Sequence, residues 1–310
     1  MFLSITRMVL PVLIMFILGW FCHYRDIISP QGLKGIKELV SSVLLPVVLF
    51  NAFFTAEYSG KIALTFVTVY AACAAGLAVG FLLRPLIRGH GRFLPFLITN
   101  FEGGMMGYAL FGLLYPGQTH VFAMADIGQT LNAFTVFLIT MQAVNSGKIH
   151  PGALLKSAVT NPALIGALLG VLLGATGIGK AVLASSAGAV VSDAVSFITA
   201  PVSGLILVIV GYELSFRKSL LKPVMMTVML RIAAAAVLLG LSSLLIFSVI
   251  PFDRPLFTAL MLAWSLPAPF IIPLFADMKD DAEYISTTLS METIVSVLLF
   301  ISVAAYSLAQ

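Results

Sequence analysis

The sequence predicts an all-α polytopic membrane protein of ten transmembrane helices, arranged as two inverted five-helix repeats in which helices four and nine are broken. Three observations carry this reading: the composition, the near-continuous series of apolar runs, and the recurrence of proline and glycine pairs in the two halves. Of the 310 residues, 60% are hydrophobic and 10% charged, against about 45–50% and about 25% in soluble domains. A helical span needs about 20 mainly apolar residues, because in a hydrocarbon core roughly 30 Å thick every backbone N–H and C=O has to be satisfied without water.

Cut at charges and at Gly/Pro clusters, the apolar runs cover 6–22, 39–55, 62–83, 93–114 and 121–144 in the first half. In the second half they cover 155–175, 190–211, 224–250, 256–275 and 284–308. The first run follows Arg7 as a signal peptide would. No small-residue cleavage pattern closes it and more spans follow, so it is expected to be retained. Residues 1–145 then form the first repeat, 146–157 a cytoplasmic connecting loop, and 158–310 the second repeat.

Orientation follows from the 17 Lys and Arg residues, which favour cytoplasmic loops when the loops are short. Loops one, three, five, seven and nine hold twelve of them: Arg25, Lys34, Lys37, Arg84, Arg88, Arg92, Lys148, Lys156, Arg217, Lys218, Lys222 and Lys279. The other side holds Arg7, Lys61, Lys180 and Arg254, and Arg231 lies inside a span. Both termini are therefore expected on the non-cytoplasmic side of a cell inner membrane. The net charge of +4 follows from this loop bias, and no basic, aromatic-interleaved soluble segment points to nucleic acid.

The halves repeat. Pro11-Val12-Leu13-Ile14 leads to Leu18-Gly19 in span one, and Pro162-Ala163-Leu164-Ile165 leads to Leu169-Gly170 in span six, an offset of 151 residues. Pro46-Val47 in span two matches Pro201-Val202 in span seven, and Gln129-Thr130 in span five matches Glu292-Thr293 in span ten. Paired prolines weigh more than paired leucines because proline disrupts a helix. Five spans per repeat is an odd number, so the second half enters the membrane inverted, an arrangement that many secondary transporters build around a midplane site.

Such sites lie where helices break. In span four, Asn100, Glu102 and the Gly103-Gly104 pair interrupt an apolar run. In span nine, Pro267, Pro269 and Pro273, with Ala268 between the first two, remove three backbone donors within a few residues. These residues, with Gln129 and Asn132 of span five, are the candidate substrate-binding set. An ionisable residue at mid-span costs about 2.5–3.5 kcal/mol on insertion scales, so each needs a reason. Glu102, Asp126 and Glu292 are the candidate ion-coupling carboxylates. Burial of Glu102 as a neutral acid, or interhelix hydrogen bonding by Asp126, is the competing reading. Asp126, Gln129 and Asn132 share one helical side. Arg231 either contacts the substrate anion or snorkels to the interface, and Asp193 reads as a helix cap.

Taken in order, the glycine break after Asn100, the Asn161-Pro162 entry to Gly170, the Gly211 to Leu214 end of span seven and the proline break of span nine resemble the auxin efflux carrier family. The resemblance covers essentially the whole chain and implies a scaffold and a transport domain, spans four and nine crossing at their breaks, and elevator-like movement of carboxylate substrates. It also implies a homodimer. Plant members often carry an Asn-Pro break in span four, where this chain has Asn100-Phe101. The short central loop is closer to bacterial malonate and malate permeases. The function expected is secondary transport of small organic anions such as dicarboxylates, coupled to protons or sodium, with an organic-acid channel or membrane sensor as the alternative.

No cofactor or metal is expected. Cys22 and Cys73 sit in apolar surroundings without metal-ligand spacing. The four histidines, His23, His90, His120 and His150, fall in or beside loops, and no His-Glu-x-x-His run or Gly-x-x-x-x-Gly-Lys-Ser/Thr loop occurs. An enzyme is therefore not expected.

Overall fold

With so little polar side-chain surface, the chain satisfies its backbone internally by winding into helices. The computed structural model describes residues 2–56, 60–87, 89–146, 152, 160–275 and 281–308. Arg88, Lys148, His150, Lys156, Lys279 and most of the expected connecting loop lie outside the described residues. Among the described residues there is helix and turn but no strand.

In the first half, α1 spans Phe2–Tyr24, and α2, Pro30–Leu39, starts at a Ser29 cap whose hydroxyl accepts from Gly32 N at 3.1 Å. A wide π turn at Val40–Leu44 joins α2 to α3, Leu45–Phe54. Pro46 sits at the start of α3, where the wide turn accommodates a residue that cannot donate. The long α4, Gly60–Leu83, is followed by a short α5, Leu94–Leu97, and then by a break. The chain resumes with a π turn, Gly103–Gly107, and α6, Tyr108–Leu114. Helix α7, Thr119–Asn132, continues through a third π turn, Ala133–Phe137, into α8, Leu138–Ser146.

In the second half, α9 spans Pro162–Ala175, capped by Asn161, whose side chain accepts from Leu164 N at 3.0 Å. Then come α10, Ile178–Leu183, α11, Gly188–Thr199, and α12, Val202–Tyr212. The long α13, Leu221–Phe247, precedes α14, Arg254–Ser265, which breaks before the short α15, Ile272–Phe275. Helix α16, Ala282–Leu308, closes the fold. Asp193 lies inside α11 and caps nothing, because the helix already starts at Gly188.

Six of these stretches are long and apolar enough to cross a membrane: Pro30–Phe54, Gly60–Leu86, Thr119–Asn145, Gly188–Tyr212, Lys218–Phe247 and Ala282–Leu308. Of the other four segments expected as spans, the first and sixth are the shorter apolar helices Val9–Tyr24 and Pro162–Ala175. The fourth and ninth are the two broken stretches.

The helices pack crosswise between halves. Helix α1 lies against α12, and α9 lies against α3. Both contacts close at glycines that let backbones touch: a Cβ on Gly19 would overlap the Val208 carbonyl, and one on Gly170 would overlap the Phe50 carbonyl. The loops gather into two polar groups. One holds the Lys37–Glu213 pair at 2.6 Å, the Arg217–Glu283 pair and the His90–Asp281 pair at 2.9 Å. The other holds Lys61–Asp253 at 3.0 Å and Arg254, which donates to Tyr306 O at 2.5 Å.

Overpacking a tight contact costs about 1–3 kcal/mol. Gly170→Ala is therefore expected to lower the melting temperature of the detergent-solubilised protein. Gly240→Ala, at a position with nothing within 4 Å, is expected to leave it unchanged or slightly raised. Equal melting temperatures for the two variants would contradict the close α9–α3 contact.

Candidate functional site

Broken backbone inside a membrane frees N–H and C=O groups that need other partners. In span four the freed stretch is 98–102, and in span nine it is 266–270. Proline causes the second break directly. In the first, the adjacent Gly103 and Gly104 replace helix-forming side chains, and the chain re-enters helix through a wide turn in which Gly107 N donates to Glu102 O at 3.1 Å. The two breaks meet: Glu102 N donates to Pro267 O at 2.9 Å, a backbone bond between stretches from opposite halves of the chain.

Side chains take up most of the remaining freed groups. The Glu102 carboxylate accepts from Phe270 N at 2.6 Å, and the Glu292 carboxylate accepts from Ala268 N at 2.8 Å. Gln129 donates to Phe101 O at 2.7 Å. Asn100 donates to Asn132 Oδ1 at 3.1 Å, and Asn132 in turn reaches Tyr70 O at 3.3 Å on α4. Pro269 is buried, and its carbonyl accepts from Ile272 N at 3.1 Å as α15 begins.

Arg231, from the middle of α13, has its guanidinium at the centre of the crossing. It donates to Leu97 O at 2.9 Å and Asn100 O at 3.0 Å from the first break. It also donates to Leu266 O at 2.6 and 3.2 Å from the second, and lies 3.6 Å from Glu292 Oε2. The residue is 5% exposed; its head group turns inward onto carbonyls rather than outward to an interface. Asp126 is also buried and stands against Gly103, where any Cβ would run into its carboxylate. Its Oδ2 accepts from Thr130 at 3.3 Å.

The structure thus brings Asn100, Glu102, Gln129, Asn132, Pro267, Ala268, Glu292 and Arg231 into one bonded cluster, with Gly103 and Asp126 alongside. Gly104 lies beside the cluster, where a Cβ would come 3.7 Å from Glu102 Oε1. It lines a cavity of about 130 Å³ between α3, α6, α11 and α12, with Asn51, Tyr108, Thr119, Thr199 and Ser203 among the walls. Sequence reading missed these five. Asn51 in an otherwise apolar span and Thr199 just before Pro201 are the signals that point to them. Among the described residues no cationic side chain lines this cavity, and its polar walls are amide and hydroxyl groups. A larger cavity of about 210 Å³ lies between α13, α14 and α16 beside Arg231 and Glu292, and its walls are mainly apolar, including Val228, Ile232, Ala235 and Leu239.

Two crossed breaks knit by buried polar groups resemble the geometry that transporters build around a substrate. Residues 4–151 match the family described as membrane transport protein. This bears out the resemblance read from the residues. A relative described as an uncharacterized transporter, from Methanothermobacter thermautotrophicus, is 24% identical over 309 residues, covering 95% of this chain and 96% of its own length.

The Gly103–Asp126 contact gives a direct check on the packing of the crossing. Gly103→Ala is expected to destabilise by about 1–3 kcal/mol, read as an earlier thermal transition in tryptophan fluorescence. Gly104→Ala, where the nearest atom to a Cβ is 3.7 Å away, is expected to melt with the native protein. The reverse order would show that the crossing is not packed as described.

Proposed function

We propose that this chain is a secondary active transporter, a permease or exporter of small organic acid anions, dicarboxylates among them, working by alternating access at the crossing of its broken helices. The observation that carries this is the bond between Glu102 N and Pro267 O at the meeting of two broken stretches, one from each half, beside a small polar cavity. Backbone breaks at membrane depth are tolerated where protein or a solute pathway surrounds them.

Ten spans in two inverted repeats, 1–145 and 158–310, give the crossing its symmetry. Three features support this. The paired glycines Gly19 and Gly170 occupy matching crosswise contacts, α1 on α12 and α9 on α3. The matched residues Gln129 and Glu292 each bond the break of their own half, at Phe101 O and Ala268 N. The two polar groups of loops also sort as alternate sides require, with Lys37, Arg217 and His90 in one and Lys61 and Arg254 in the other. Their basic content favours the first group for the cytoplasm, with both termini on the outer side of a cell inner membrane. A homodimer is part of this reading.

In this scheme Asn51, Tyr108, Thr199, Ser203 and the Gly103-Gly104 backbone receive the substrate. Glu102 and Asp126 respond to the coupling ion, and Glu292 fixes the ninth-span break against Arg231. A channel is the second reading, since broken helices also line pores; saturable flux separates the two.

The experiment is uptake of labelled mono- and dicarboxylates by purified protein in liposomes, with and without an imposed cation gradient, against protein-free liposomes. Saturable, gradient-stimulated uptake of one acid is expected. Glu102→Gln is expected to abolish gradient-driven accumulation while leaving substrate exchange in place. Non-saturating flux would favour the channel, and an unchanged pH dependence in the Gln variant would remove Glu102 from coupling.

A further inference from the structure

Carbonyls at the C-terminal ends of broken helices are where transporters of this architecture hold a coupling cation such as sodium. In this chain those carbonyls are already occupied. Leu97 ends α5 and Leu266 follows the last residue of α14, so the negative ends of both first half-helices converge on one point. Arg231 supplies the positive charge there. Four donated bonds, of 2.6 to 3.2 Å, reach Leu97 O, Asn100 O and Leu266 O.

Three carbonyls from two backbone segments with one carboxylate, Glu292, nearby form the kind of oxygen set that holds a hard cation. The guanidinium fills it with a charge that cannot leave. A planar fork of five donors suits several oxygens at fixed angles, which a lysine ammonium does not match. The helix that carries Arg231 is continuous from Leu221 to Phe247, so its position is set by α13 and not by a mobile loop.

We propose that Arg231 is a resident counter-ion standing in the place of a transported cation at the crossing, and that the protein moves its substrate without sodium. This rests on the transporter reading above and narrows its coupling. Arg231 is accordingly a positioning residue: it holds the two breaks in register through their carbonyls and does not bind the solute.

The test begins with the native protein in detergent. Its melting temperature is measured in sodium, potassium and choline chloride at matched ionic strength, and the proteoliposome uptake is repeated with sodium replaced by choline. No change is expected in either. A saturable rise of melting temperature or uptake with sodium overturns the proposal, whatever becomes of any variant.

Arg231→Ala is expected to melt earlier and to regain at least half of the lost temperature with free guanidinium ion, or partly with sodium or lithium, because the emptied oxygen set again takes a cation. Rescue would not follow from a loss of packing alone. A folded Arg231→Ala protein that responds to none of these ions overturns the proposal. If that variant does not fold, the neutral Arg231→Gln carries the same rescue test and the same two outcomes. Melting is independent of the substrate, so failure of every acid in uptake would count against the transporter reading and leave this one to be judged on the ion response.

Discussion

One buried guanidinium satisfies what two broken helices leave open. Without Arg231, the buried carbonyls of Leu97, Asn100 and Leu266 would face one another with like partial charges and no donor between them. With it, the two breaks lie close enough for the backbone of Glu102 to bond that of Pro267. The carboxylates then follow: Glu292 balances the arginine and holds Ala268 N, while Glu102 holds Phe270 N. An unpaired charge buried in this way is costly, whereas a charge with all its partners is a rigid joint.

The same economy of space runs through the crosswise helix contacts. In hydrocarbon there is little hydrophobic gain from bringing two apolar helices together, so close backbone approach and dispersion decide the contact. Gly19, Gly166, Gly170 and Gly211 each place a helix backbone against another's carbonyl. These contacts join α1 to α12 and α9 to α3, whereas at the crossing the polar cluster takes over from small residues as the adhesive.

Much of this was legible in the residues. The apolar runs show where helices stand, since a run of about 20 apolar residues satisfies its own backbone in lipid by winding into a helix. Both breaks are visible because Pro267 and Pro269 remove donors and because Gly103-Gly104 with Glu102 has no place in a continuous apolar helix. The partners of the breaks were legible only in part. Gln129, Asn132 and Glu292 stand out as polar residues in apolar spans, but their targets are backbone atoms, which carry no side-chain signature. Arg231 illustrates the limit: its sequence position suits snorkelling, and only the convergence of three distant carbonyls turns it inward. Asn51, Thr199 and Ser203 were passed over because single small polar residues are common in membrane helices and become a cavity wall only when α3, α11 and α12 meet. Asp193 read as a cap because a short polar residue near a span edge does so often, whereas α11 begins five residues earlier.

The wide turn at Ala133–Phe137 bears on how such a helix is read at all. An α-helix advances about 100° per residue, so a turn that takes up one extra residue resets the angular phase of everything beyond it by roughly that amount. Before the turn, α7 presents Asp126, Gln129 and Asn132 to the interior; after it, Phe137, Leu138 and Met141 are the buried positions. Extrapolated at constant pitch, the later set drifts away from the earlier one; with the extra residue it returns to the same wall. The inserted residue acts as a vernier, letting one rod keep a polar grip at one depth and an oily one at another without twisting the bundle around it.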